Sequence, residues 1–113
     1  MCGICGFEDK DLIMRMTRIL KHRGPDDDGF FHNKNINSGM RRLSIIDIKG
    51  GHQPIHNENE TVWIIFNGEI YNYLVLKKDL ERGSHKFYTK SDTEVIVHCY
   101  EEFGIECVKK TQR

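Results

Sequence analysis

The chain has 113 residues, 38% hydrophobic and 30% charged, with 17 basic and 17 acidic side chains that cancel to a formal net charge of +0. That length allows one domain with a modest core, and the charge balance excludes the basic surplus of a nucleic-acid binder or of a protein drawn to an anionic membrane. No apolar run approaches the ~20 residues of a membrane span, and the N-terminus turns acidic at Glu8 and Asp9, against a signal peptide; a cytoplasmic location with reduced thiols is the expectation.

The pattern predicts a short apolar strand over Cys2 to Phe7, then a helix over Asp11 to His22. In that helix Leu12, Ile13, Met16, Ile19 and Leu20 recur at helical spacing as one buried stripe. Gly24 and Pro25 stop it, and His22 to Gly29 reads as a polar turn whose Asp26, Asp27 and Asp28 are solvated acids rather than a cation site. Strands are expected over Gly29 to His32, Ser38 to Ile48 and Thr61 to Phe66. The last is the run VWIIF, apolar on both faces and so suited to the middle of a layered structure. Asn67-Gly68 ends it with residues that tolerate positive φ. A helix over Asn72 to Arg82 closes at Gly83, and a short strand is expected at Lys86 to Thr89. Ser91 and Glu94 read as a capping box for a final helix whose Val95, Ile96, Cys99 and Phe103 share a face before Gly104.

Chemistry concentrates at Met1-Cys2-Gly3-Ile4. Trimming of Met1 would leave Cys2 with a nucleophilic thiol and a free α-amine, which titrates near about pH 7.7–8.0 and can act as general base. Alternatively, Cys2 is a small buried apolar side chain. A third reading takes Cys2 and Cys5 as a C-x-x-C pair completed by His98, Cys99 and Cys107 into an intracellular zinc module. Against it, a second C-x-x-C is missing and Cys99 falls on an apolar helix face. The six histidines share no spacing and read as surface or satisfied polar residues. Neither a P-loop nor a Gly-rich nucleotide motif is present, so ATP chemistry must lie outside these residues.

Six segments appear in order: MCGI at 1–4, HRGPDDDG at 22–29, RRLSIID at 41–47, Gln53-Pro54, FNGEIYN at 66–72 and SDTE at 91–94. Together they resemble the glutaminase domain of asparagine synthetases, class II glutamine amidotransferases with an N-terminal nucleophile. The resemblance implies an α+β fold, the α-β-β-α sandwich of N-terminal-nucleophile hydrolases, here with its second sheet incomplete on the C-terminal side. It implies residues 1–113 as a partial type 2 amidotransferase domain that needs a partner, whether a synthetase domain, another polypeptide or a second copy in a homo-oligomer, and that is a poor glutaminase by itself. The activity implied is hydrolysis of glutamine to glutamate and ammonia, the ammonia serving asparagine synthesis from aspartate. No cofactor is implied for that half-reaction; ATP and Mg belong to the synthetase domain. Cys2 is implied as nucleophile, and Asn67 and Gly68 as the oxyanion hole. Arg42 would grip the glutamine α-carboxylate, with its neighbour Arg41 solvated on the opposite face, while Asp92 and Glu69 would bind the α-ammonium. Two alternatives stay open: a non-catalytic glutamine-binding or interaction module, and an amidotransferase subunit serving a different acceptor.

Overall fold

The computed structural model describes residues 2–44 and 50–113. Met1, and residues 45–49 into which the strand expected over Ser38 to Ile48 ran, lie outside the described residues. The elements are β1 (Gly3–Phe7), α1 (Lys10–Ile19), β2 (Asp27–His32), β3 (Asn37–Arg42), β4 (Ile55–His56), β5 (Trp63–Ile64), α2 (Tyr73–Arg82) and α3 (Glu94–Phe103), a mixed α/β arrangement.

The first sheet is antiparallel, in the order β1-β3-β2. Its β2–β3 turn is closed by Asn33, whose Oδ1 accepts from the backbone N–H groups of Asn35 and Ile36, both at 2.8 Å. Asp9 starts α1 by accepting from the Leu12 N–H at 2.9 Å, and the helix lies across β1 and β3. The seam is narrower than the predicted stripe. Ile13 and Thr17 are buried, whereas Leu12 is 37% and Ile19 73% exposed. The helix settles on Gly39, where an added Cβ would stand 2.1 Å from Thr17 Oγ1. Ile19 sits about 200° around the helix from Thr17, so this close approach turns it toward solvent.

β4, which the sequence reading misses, pairs antiparallel with β5 (Ile55↔Ile64, His56↔Trp63). Asn57 builds the connecting turn: its Oδ1 accepts from Thr61 N at 2.9 Å and Val62 N at 3.0 Å, while Glu60 takes φ 59°. The expected strand over Thr61 to Phe66 therefore shortens to Trp63–Ile64. The VWIIF run is half-buried rather than covered on both faces, with Trp63 38% exposed. Trp63 meets Phe31 of β2 with ring centroids 5.4 Å apart, so the two sheets touch through aromatic rings.

The C-terminal half has its own core, in which Ile70, Leu80, Val95, Cys99 and Cys107 are buried and Phe66, Leu76 and Phe87 pack against them. No strand forms over Lys86 to Thr89. The Glu94 carboxylate holds this segment instead, accepting from Tyr88 N at 2.8 Å and Thr89 N at 2.7 Å. The capping box is thereby displaced: Thr93 occupies the cap position without a side-chain capping bond, and Glu94 is buried and committed to Tyr88 and Thr89. Burial pushes the Glu94 carboxyl up, but the hydrogen bonds from His98, Thr89 and Tyr88 outweigh it and hold it below the usual carboxylate range. No helix among the described residues is long and apolar enough to cross a membrane.

Candidate functional site

The two halves meet at a cleft of about 270 Å³. Its walls include Cys2, Arg42, Asn67, Gly68, Glu69 and Asp92, the six residues singled out from the sequence. They come from the start of β1, the end of β3, the segment after β5 and the approach to α3.

Cys2 is half-buried, and its Sγ accepts from the Leu43 backbone N–H at 3.3 Å. The β3 terminus is therefore both its neighbour and a donor to its sulfur. Arg42, 6% exposed, is carried into the cleft by the period-2 alternation of β3. Its neighbour Arg41 points the other way, as the alternation predicts, but is not solvated. Arg41 donates to Gly24 O at 2.8 Å and pairs with Asp28 at 2.8 Å, its side chain only 11% exposed. The β2–β3 register sets Asp28 directly opposite Arg41, which explains the pairing. The neighbouring acids are likewise engaged: Asp26 Oδ2 accepts from Ser44 N at 2.8 Å, and Asp27 meets His52 Nδ1 at 2.7 Å. Gly24 permits this: a Cβ there would fall 2.3 Å from the Arg41 carbonyl carbon.

On the opposite wall, Asn67 donates through Nδ2 to the Cys2 carbonyl at 3.2 Å, tying the post-β5 segment to the N-terminus. Asp92, 5% exposed, accepts from Ile70 N through Oδ2 at 2.7 Å. Glu69 is exposed at the rim. Gln53 is a positioning residue that the sequence reading passed over. It is 6% exposed, its Oε1 accepts from Phe66 N at 2.7 Å, and its Nε2 reaches Thr93 Oγ1 at 3.5 Å. It lines the cleft itself and braces Asn67 and Asp92 through their chain neighbours Phe66 and Thr93. The sequence signal was Gln53-Pro54 as one of the six segments of the resemblance, with no role attached to it; the Gln53–Pro54 peptide bond is cis.

The four cysteines do not gather around a metal. Cys2 lines the cleft, Cys5 is buried under α1 at 3.3 Å from Thr17 Oγ1, and Cys99 and Cys107 sit in the C-terminal core. Burial, with Cys107 adding to it, pushes the Cys99 thiol up to about 11, which makes it a poor nucleophile. Cys2 is the one cysteine open to a ligand. Nor are all the histidines scattered. His85 and His98 lie with ring centroids 4.9 Å apart and their planes tilted by 56°, beside Glu58 and Glu101. The spacing of Glu94, His98 and Glu101 on one helix face was the legible sign.

A thiol, a buried guanidinium, two carboxylates and a side-chain amide donor around one cleft suit a small zwitterion carrying an acyl group. The model of a glutamine amidotransferase domain matches residues 1–112. The chain is 46% identical over 120 residues to asparagine synthetase (glutamine-hydrolyzing) 1 of Bacillus subtilis (strain 168), covering 97% of this chain and 19% of the relative. It is 45% identical over 116 residues to asparagine synthetase (glutamine-hydrolyzing) 1 of Arabidopsis thaliana, covering 96% of this chain and 20% of the relative. The corresponding enzyme of Sandersonia aurantiaca is 47% identical over 112 residues, covering 92% of this chain and 21% of the relative. The chain spans about a fifth of the length of these relatives. It belongs to the glutamine amidotransferase domain family.

Proposed function

We propose that the chain hydrolyses the side-chain amide of glutamine with Cys2 as nucleophile, once Met1 is removed. The observation that carries this reading is the convergence of Cys2, Arg42, Asn67 and Asp92, spread over ninety residues of sequence, on one cleft. The Cys2 thiol gives its proton to its own α-amine and attacks the amide carbon. The side-chain amide of Asn67 and the N–H of Gly68 stabilise the tetrahedral oxyanion. Ammonia departs with a proton returned from the amine, and water opens the thioester to give glutamate and the free thiol. Arg42 binds the α-carboxylate, and Asp92 with Glu69 the α-ammonium.

In the same reading, residues 1–113 are part of a type 2 amidotransferase domain. The ammonia passes to an ATP- and Mg-dependent synthetase part that forms asparagine from aspartate. The names of the relatives and the fraction of their length covered here support this. The order of α1, first sheet, second sheet and α3, with the sheets touching at Phe31 and Trp63, favours the α-β-β-α sandwich. Four free cysteines suit a reducing cytoplasm.

The test is glutamine-dependent ammonia release. Cys2→Ala abolishes it, and Cys2→Ser leaves far less, since a hydroxyl is the poorer nucleophile near neutral pH. An uncleaved N-terminal tag is equally damaging because the amine becomes an amide, and tag removal restores activity. Appreciable ammonia release by Cys2→Ala overturns the assignment, and glutamine binding without turnover in an untagged protein that also carries the synthetase part points to a non-catalytic module.

A further inference from the structure

We propose that Glu58, His85, His98 and Glu101, remote from the Cys2 cleft, form a binding site for a divalent cation of the zinc class. One ligand atom from each lies within 4.8 Å of all the others. Four edges of this group are nearly equal. His98 Nδ1 stands 3.4 Å from Glu58 Oε2 and 3.5 Å from Glu101 Oε2, and His85 Nδ1 stands 3.4 Å from Glu58 Oε1 and 3.6 Å from Glu101 Oε2. A tetrahedral zinc with bonds of about 2.0–2.1 Å has ligand-to-ligand edges of about 3.3–3.4 Å. The edges to Glu58 run to its two different oxygens and the four donor atoms spread over up to 4.8 Å, so a bound ion would draw the group together by side-chain adjustment; two imidazoles with two carboxylates are donors that zinc accepts.

A second observation points to a ligand at this position. His98 is fully buried, and its Nδ1 has no hydrogen-bond partner among the described residues. The opposite ring nitrogen is engaged, with Nε2 3.5 Å from the buried Glu94 Oε1. If Nε2 carries the proton, the Nδ1 lone pair faces two carboxylates with nothing between them to offset the repulsion. Either a second proton, which the facing carboxylates favour, or a metal cation on Nδ1 removes that conflict.

The surroundings repeat the pattern. His85 Nε2 meets Glu102 Oε1 at 2.8 Å, so each histidine has a carboxylate on its outward nitrogen and presents Nδ1 inward. Such outer carboxylates set the tautomer and raise the basicity of a ligating imidazole. The ligating acids are held as well: Glu58 Oε1 accepts from Lys86 N, and Glu101 Oε1 from Asn57 Nδ2, each at 2.7 Å. Three separate segments contribute: the β4–β5 turn through Glu58, the post-α2 segment through His85, and α3 through His98 and Glu101. Four protein ligands leave no open position, so the cation has a structural task. It clamps the segment after α2 and the β4–β5 turn to α3, whose N-terminal approach carries Asp92 into the cleft.

The experiment uses the full chain bearing Cys2→Ala, which removes the competing cleft thiol, after dialysis against EDTA. Titration with zinc should show one equivalent bound and a rise in Tm. Cobalt in its place should give the intense visible bands of a tetrahedral ion. Glu102→Gln should weaken zinc binding by about 10–100-fold. Glu101→Gln, which can still accept from Asn57, and His85→Gln should weaken it further while leaving the far-UV circular dichroism unchanged. Absence of stoichiometric zinc, six-coordinate cobalt bands, or affinity undiminished in both ligand variants overturns the proposal. None of these readouts uses glutamine, so the outcome is independent of the Cys2 reaction.

Discussion

Asp92 is asked to do two things, and two substitutions separate them. Its Oδ2 accepts from the Ile70 N–H at 2.7 Å while the residue is only 5% exposed, and the same carboxylate is assigned the substrate ammonium. Asp92→Ala removes the acceptor and strands a buried N–H, a loss of about 1.5–3 kcal/mol for a hydrogen bond to a charged group. In a domain of this size that lowers Tm by on the order of 10 °C. Asp92→Asn keeps an acceptor for Ile70, so the stability loss falls to about 1 kcal/mol. It nevertheless discards the charge proposed to pair with the ammonium. That pairing, at about 1.5–3 kcal/mol, corresponds to a rise of roughly 10–100-fold in KM for glutamine with a far smaller change in kcat. Thermal denaturation and steady-state glutamate release on the two variants give both numbers. A wild-type KM in Asp92→Asn refutes the ammonium role, and an undiminished Tm in Asp92→Ala refutes the structural one.

Arg42→Ala should raise KM for glutamine, whereas Asn67→Ala should chiefly lower kcat, by about 10²–10³, as for other oxyanion donors; an Asn67 effect confined to KM removes it from that role. Gly29→Ala should destabilise by more than the roughly 1–3 kcal/mol of ordinary overpacking, because the new Cβ would stand 1.6 Å from the Gln53 carbonyl oxygen. An unchanged denaturant midpoint contradicts that. Iodoacetamide at pH 8 should label Cys2 in the native chain and leave Cys99 untouched until unfolding, since Cys99 is fully buried and its thiol lies at about 11. The unfolded thiol ionises first, near about pH 8.5. The stabilisation from Cys99 is therefore complete below that pH and declines as pH rises toward 11, which denaturation midpoints measured between pH 8 and pH 11 should show.

Local sequence was enough to find α2 and α3 and the strands around Met40, because periodicity and glycine or proline stops act within a few residues. The candidate residues Cys2, Arg42, Asn67, Gly68, Glu69 and Asp92 come from the family resemblance that six contiguous motifs carry, not from local pattern. Tertiary structure decided the remainder. The seam of α1 follows Ile13 and Thr17 because Gly39 admits the helix closely there, and Gly39 is 22 residues beyond Thr17 in the chain. Glu94 abandons the capping box because Tyr88 and Thr89 offer it buried donors. Arg41 finds Asp28 only through strand register, and Gln53 becomes a brace only when Phe66 N–H is brought to it. The meeting of His85 and His98 with Glu58 and Glu101 likewise exists in no window of the sequence. It arises because the packing of three segments places charges that are distant along the chain within 4.8 Å of one another.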